Sequence, residues 1–421
     1  MYKMKVEEDM EKLLVIGAGI GQIPIIRKAK EKSIHVTVAT LPGKQPGIEI
    51  ADDVIYMDIF DREGIADEAR KRGITAVTSD QNDLMNPTVA YVAEKLGLPG
   101  NKYETVVSYC NKNTYRANCE KVGVPVPKHV AVNSADHDFS AFDCPLPWIV
   151  KPADSQSSVG VQRIDNMDEL IFALEFALQK SKTHTAIVEE YFFGKEFVCE
   201  GFISDGKFYL LSFADRKYFE LKDLLIPCQT LFPSNLDRSV LDKVVSYESK
   251  MAEYTKPAFA IVHSEYLVNE KTGEIRAVES ALRGGGVYIS SHLIPLSTGI
   301  DINEVLLNKA LGIDVDVDKI FAERIDKAAG YVCFYLPEGK ISSISGVEEL
   351  KQLPFVKMAK IDDLEVGQET EKILHKGLRK GPILVCGDDR SDLEKNIKIV
   401  QNTLKIEVEN NSGQKAGIIW K

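Results

Sequence analysis

The first hundred residues alternate short apolar runs with helical stretches, and that alternation leaves few folds open. Lys12–Ile16 (KLLVI), 34–39, Asp53–Tyr56 and Ala76–Thr78 read as strands. Between and after them, 22–32, 63–72 and 87–95 read as helices. Strands alternating with helices predict a parallel α/β sheet. Gly17, Gly19 and Gly21 follow the first strand, which invites a dinucleotide reading. Gln22, however, stands where GxGxxG has its third small residue, and the second strand runs into Ala39–Thr40–Leu41 with no acid for a ribose hydroxyl. The glycines therefore read as a tight strand-to-helix turn. Asp80, Gln81 and Asp83 follow the fourth strand at the same sheet edge, where ligands of such sheets gather. They are candidate substrate contacts, with an ordinary surface loop as the other reading.

A second constraint is the stretch VHSEYLVNEKTGEIRAVESALRGGG, residues 262–286. Residues 261–268 and 275–278 read as strands joined by a polar turn at 269–273. Glu265 then falls opposite Glu279, or within about one residue of it, on one face and roughly 5 Å away. Two such carboxylates repel unless a cation lies between them, and hard oxygen ligands of this kind suit Mg²⁺ beside substrate phosphates. Arg283 adds a fork for phosphate oxygens, and Gly284, Gly285 and Gly286 allow close backbone approach. A solvated hairpin with surface glutamates fits the same residues.

In the middle of the chain, 111–122 reads as a helix with Lys112 in its first turn, a position that is usually solvent-facing. Lys151 ends an apolar strand, where a charge needs a partner or a task. The polar loop beyond it holds Ser155, Ser157, Ser158 and Gly160, and such a loop can fold its N–H groups over phosphates. It is no Walker A loop, lacking GK[ST]. Next, 167–180 reads as a helix, Glu189 and Glu190 end a strand, and a second strand begins at Glu196. Acids so placed among aromatics suit an adenine amino group and ribose hydroxyls, or simply alternate on a half-buried strand. Arg216 and Lys217 are a candidate contact for a substrate carboxylate, against a solvated loop.

Fifty-two Lys and Arg against 63 Asp and Glu give a net charge of −11, which disfavours nucleic acid as a partner. No apolar run is long enough to span a bilayer, and the N-terminus lacks the pattern of a signal peptide. The seven cysteines form no CxxC pair and no zinc spacing, so they read as reduced residues of a cytoplasmic protein.

Taken in order, these pieces resemble the ATP-grasp superfamily, of the carboxylate–amine ligase type, over roughly residues 12–312. The resemblance implies a multidomain α/β and α+β fold: an N-terminal parallel α/β domain (1–108), an ATP-grasp domain of two subdomains with a hinge near 189–192 (109–320), and a small C-terminal α+β domain (321–421). It implies that Lys112 and Lys151 grip ATP phosphates and that the loop with Ser157, Ser158 and Gly160 folds over them. Glu189, Glu190 and Phe192 would hold adenine, and Glu196 the ribose. Glu265 and Glu279 would hold Mg²⁺, with Mn²⁺ able to substitute, and Arg283 would assist catalysis together with Lys151. The family often has E-x-N-x-R at the second acid; here Ala281 stands in place of the asparagine and offers no ligand atom. The activity implied is amide formation from a carboxylate and an amine through an acylphosphate, releasing ADP and phosphate. Alternatives are a bicarbonate-activating carboxylase, an enzyme like carbamoyl-phosphate synthase, or a nucleotide-binding regulator without catalysis. Small-molecule substrates and a homodimer are the partners expected, with no membrane. The final segment, 407–421, is polar and reads as partly disordered.

Overall fold

In the computed structural model, residues 11–155, 159–221, 226–373 and 375–421 are described. They form two compact units: the described residues within 11–210, 237–286 and 302–317 make one, and those within 211–236, 287–301 and 318–421 the other.

In the first unit, β1 (Lys12–Ile16) is apolar and buried from Leu13 onward. It is flanked by β2 (His35–Thr40), β3 (Asp53–Tyr56) and β4 (Ala76–Thr78) in the order β3-β2-β1-β4, all parallel. A strand with parallel neighbours on both sides and helices on its faces has no wet face, so its residues do not alternate. The connecting helices are α1 (Ile23–Glu31), α2 (Arg62–Arg72) and α3 (Asn86–Leu96). Asp61 starts α2 by accepting from the Gly64 N–H at 3.0 Å, and Gly73 ends it with φ +65°. This is the parallel sheet expected.

The glycine turn after β1 is filled by protein. Gln22 is buried; its side chain accepts from the Gly19 N–H at 3.0 Å and donates to the Asp80 carbonyl at 2.6 Å. A Cβ on Gly17 would lie 2.4 Å from the Met85 sulfur. The residue that breaks the dinucleotide pattern thus ties the turn to the loop after β4.

Two short helices follow, α4 (Tyr103–Cys110) and α5 (Lys112–Lys121). A four-stranded antiparallel sheet comes next, built from β5 (His129–Val132), β6 (Trp148–Pro152), β7 (Gln162–Ile164) and β8 (Ala186–Glu190) in the order β5-β8-β6-β7. Helix α6 (Leu170–Lys180) covers it, packing Leu170, Leu174 and Leu178 against Trp148, Val150 and Val188. The chain then enters β9 (Lys195–Ser204), passes through β10 (Lys207–Tyr218) and β11 (Pro227–Phe232), and returns by α7 (Arg238–Thr255) to the hairpin β12 (Phe259–Val268) and β13 (Ile275–Ala281). β12 lies between β9 and β13, antiparallel to both.

The second unit is a sheet in which the end of β10, β11, Ala328–Phe334, Lys380–Gly387 and Val356–Ala359 pair in that order, all antiparallel. Arg390–Thr403 packs Leu393, Ile397 and Val400 into its core. Arg216 and Lys217 sit within β10, paired with Thr230 and Gln229, and not in a loop. The tail corrects its expectation. Lys405–Glu409 pairs with Gly339–Ser345, burying Ile406 and Val408 by strict alternation. Tyr335 and Ile419 exchange backbone hydrogen bonds at 3.0 and 2.9 Å, and the Trp420 ring lies 5.0 Å from Phe334. Three apolar residues at the very end anchor a segment whose average composition is polar.

All seven cysteines are free. Among the described residues, no helix is long and apolar enough to cross a membrane.

Candidate active site

The hairpin sets the frame. Asn269 closes its tip: its side chain accepts from the Lys271 and Thr272 N–H groups at 3.0 and 3.3 Å, and Gly273 takes φ +70°. Register then places Glu265 directly across from Glu279, His263 across from Ala281 and Ser264 across from Ser280. Between Glu265 and Tyr266 the register shifts, because Val278 is an extra residue in β13. This is a β-bulge, and it extends the second strand past the point where the apolar pattern alone would end it. On the other side, β9 sets Glu196 opposite Leu267, Val198 opposite Glu265 and Glu200 opposite His263. Side chains two apart share a face, so Glu196, Glu200, His263, Glu265 and Glu279 all stand on one face of three strands.

Lys112 and Lys151 converge near it. Asn111 caps α5 by accepting from the Asn113 and Thr114 N–H groups at 3.0 and 3.2 Å. Lys112 is not solvent-facing as its position suggested; it is 8% exposed, and its ammonium donates to the Ser155 carbonyl at 2.6 Å. Lys151 pairs with Glu189 at 2.6 Å, and the other Glu189 oxygen accepts from Arg116 Nε at 2.7 Å. Arg116 also donates to the carbonyl of Val278, the bulge residue, at 2.8 Å. Burial alone would raise the Glu189 carboxyl; the two cations outweigh it and bring it down to about 2. Burial pushes the Lys151 ammonium down, and although Glu189 pulls it up, the nearby Arg116 and Lys112 charges lower it further.

The connection after β8 carries the next group. Glu190 accepts from Arg276 Nε at 3.3 Å, and the same guanidinium lies 4.7 Å over the Phe192 ring. Gly194 is required here, since a Cβ would come within 2.9 Å of the Phe192 ring and 3.0 Å of the Val268 carbonyl. Gly160 takes φ +78° against Pro152, where a Cβ would meet Cγ at 2.7 Å. Ser157 and Ser158 lie outside the described residues.

Arg283 makes its fork with a protein carboxylate. Nε and Nη2 donate to the two oxygens of Asp83 at 2.8 and 2.7 Å, and the Gly284 N–H donates to Asp80 at 2.8 Å. The two acids picked out after β4 are thus held by the residues that follow β13. Beside them lies a cavity of about 300 Å³ whose wall includes Asp83, Tyr103, Lys112, Ser155, Lys182 and Glu279.

His263 is the functional-looking residue the sequence reading passed over. Its Nδ1 faces the Glu200 carboxylate in a short contact, and its Nε2 lies 3.5 Å from Glu265. Burial would lower the imidazole, but Glu200, with help from Glu265, raises it to about 9. Arg116, Glu200 and Arg276 were also passed over. Signals existed: Arg116 follows Lys112 by four residues on a helix, and His263 precedes Glu265 by two on a strand.

Among the described residues, no group of three or more His, Cys, Asp or Glu side chains is arranged to hold a metal by itself. Two opposed carboxylates supply part of a coordination shell and leave the rest to phosphate and water, which is the habit of Mg²⁺.

The profile described as "ATP-grasp domain" matches residues 144–291, the stretch that holds this face and both acids. Residues 144–291 are an ATP-grasp domain. A second profile, "L-amino acid ligase C-terminal domain 2", matches residues 332–409 of the chain. Over 87 residues it is 37% identical to D-alanine–D-alanine ligase of Hydrogenovibrio crunogenus, covering 20% of this chain and 26% of that one. The match therefore spans about a quarter of that relative's length. Its fold is similar to the L-amino acid ligase from Bacillus licheniformis, with a TM-score of 0.79, 22% identity, and 95% and 99% of the two chains covered. It is also similar to phosphoribosylglycinamide synthetase from Anaerococcus prevotii, with a TM-score of 0.76, 18% identity, and 95% and 100% covered. At these identities the likeness concerns the fold, a multidomain α/β ATP-grasp architecture.

Proposed function

We propose that this protein is a ligase that joins a carboxylate to an amine, with ATP converted to ADP and phosphate. The observation that carries the reading is the opposed pair Glu265 and Glu279, set in register on the face that also bears Glu196, with Lys112 beside the same cavity as Glu279. Both relatives named above as ligases, and the C-terminal profile, support the amide-forming chemistry.

In this reading Lys112 and Lys151 bind the nucleotide phosphates, and Ser157, Ser158 and Gly160 belong to the loop that covers them. Glu189, Glu190 and Phe192 form the adenine side and Glu196 holds the ribose. Glu265 and Glu279 would hold Mg²⁺, which when bound neutralises charge on phosphate oxygens. Lys151 would trade part of its contact with Glu189 for a phosphate oxygen. Arg283, kept rigid by Asp83, stabilises charge on the transferring group with its remaining N–H donors. The substrate carboxylate attacks the γ-phosphorus, giving an acylphosphate and ADP; an amine then displaces phosphate and loses a proton. Such chemistry asks for positioning and charge stabilisation more than for a protein nucleophile.

Two measurements check this. With ¹⁸O in the substrate carboxylate, label is expected in the released phosphate. Amide formed alongside unlabelled phosphate would exclude the acylphosphate, AMP and pyrophosphate would indicate adenylation, and ADP release driven by bicarbonate would favour a carboxylase. Glu196→Ala is expected to weaken binding of a non-hydrolysable ATP analogue in calorimetry while the melting temperature holds. Unaltered affinity would take Glu196 out of the nucleotide site.

A further inference from the structure

Glu265 faces a problem that its register creates. Across from it stands Glu279, a like charge at close range. Repulsion between them disfavours the arrangement that would receive a metal, an effect the Arg283 charge near both acids offsets in part. Something must hold at least one of the two in place before a metal arrives. The preceding residue on the same face is His263, with Nε2 at 3.5 Å from a Glu265 oxygen. The imidazole is itself fixed from behind. Its Nδ1 meets Glu200, which is fully buried and whose strand position is directly opposite. On the other side of His263 the opposed residue is Ala281, which brings only a methyl group.

We propose that His263 is a positioning residue for the metal site, braced by Glu200 and presenting an N–H that holds the Glu265 carboxylate in its metal-receiving orientation. The inference rests on the reading of Glu265 and Glu279 as metal acids. The sense of the row is set by burial: Glu200 and His263 are 0% and 5% exposed, whereas the Glu265 side chain is 24% exposed. The brace is therefore inside and the ligand end is open. Partners of this kind, one step behind a ligand, fix its orientation and basicity, and removing one typically costs about 10–100-fold in metal affinity.

The two ring nitrogens can be tested separately. His263→Asn keeps a polar partner for Glu200 near the Nδ1 position and loses the reach toward Glu265. His263→Gln keeps a donor near the Nε2 position. The readout is Mn²⁺ affinity of the protein–ADP complex, from the electron paramagnetic signal of free Mn²⁺, with ADP affinity in EDTA and the melting temperature measured alongside. His263→Asn is expected to lose about 10–100-fold in Mn²⁺ affinity with ADP affinity unchanged, and His263→Gln to keep most of it. The double variant Glu200→Met with His263→Leu removes both polar partners together, which spares the fold an unpaired buried charge, and is expected to lose as much as His263→Asn. Native Mn²⁺ affinity in His263→Asn and in the double variant, beside a loss in Glu265→Gln, overturns the positioning role alone. Native affinity in Glu265→Gln overturns the metal reading and this inference with it.

Discussion

Glu189→Gln is expected to destabilise the first unit by about 3–5 kcal/mol, because it leaves Arg116 and Lys151 buried without their shared anion. Both Glu189 oxygens are engaged, one by each cation, and neither Arg116 nor Lys151 can turn to water, at 0% and 8% side-chain exposure. Against a total stability of about 5–15 kcal/mol for an ordinary domain, the loss is large. The pH dependence gives a second readout. In the native protein the Glu189 carboxyl lies at about 2, below its ordinary 4.5. The folded state then binds fewer protons than the unfolded one over that interval. The stabilisation is complete above about 4.5 and is lost as pH falls through about 2. In Glu189→Gln the acid limb disappears and an alkaline limb of the same sign grows. Lys151, already pushed down by burial, loses its main support, so the unfolded chain binds the extra proton and stability rises with pH toward the ordinary lysine range. Denaturant midpoints should climb toward alkaline pH more steeply, and from a lower pH, in the variant than in the native protein, where Glu189 still supports the Lys151 charge. A midpoint indifferent to the substitution would mean that water reaches the cluster and stands in for the carboxylate. Replacing Arg116, Lys151 and Glu189 together by apolar residues of similar size should recover most of the stability while abolishing ADP formation, which separates the fold's use of the cluster from its use in nucleotide binding.

Glu279→Gln is expected to do the opposite. The amide keeps the side chain's shape and removes one of two facing charges, so the melting temperature of the free protein should hold or rise slightly. ADP formation should fall by about a hundredfold or more, the scale on which removing one group that stabilises transferring charge is felt. The fall should ease as Mg²⁺ is raised, because what is lost is a charged ligand. A glutamate that served only the hairpin would give the reverse pattern, a lowered melting temperature and an intact rate.

The two results together address how far the sequence reveals such a site. Opposition of Glu265 and Glu279 was legible, since a short polar tip between two strand-like runs leaves few registers. The four parallel strands at the start were legible for the same kind of reason, local pattern. What could not be read were partners distant along the chain. Nothing near Arg283 says that Asp83, 200 residues earlier, fills its fork. Nothing near Lys151 says that Arg116 shares its anion. Lys112 and Arg116 lie on one side of a helix that looks polar along most of its length, and only the packing of α5 against β13 makes that side an interior one. The tail was misread because composition was averaged over a segment whose last apolar residues do the anchoring.

The bulge at Val278 makes the hairpin a counting device. Arg276 reaches Glu190 and Phe192 while Glu279 faces Glu265, and both belong to the same side of the sheet although they are three residues apart. Without the extra residue, an interval of three would send them to opposite sides. A changed length of the Asn269–Gly273 tip leaves this spacing alone, whereas between Arg276 and Glu279 residue count and bulge are tied: three intervals with the bulge or two without it keep both side chains on one side, and a change in either one alone would part the nucleotide end of the site from the metal end.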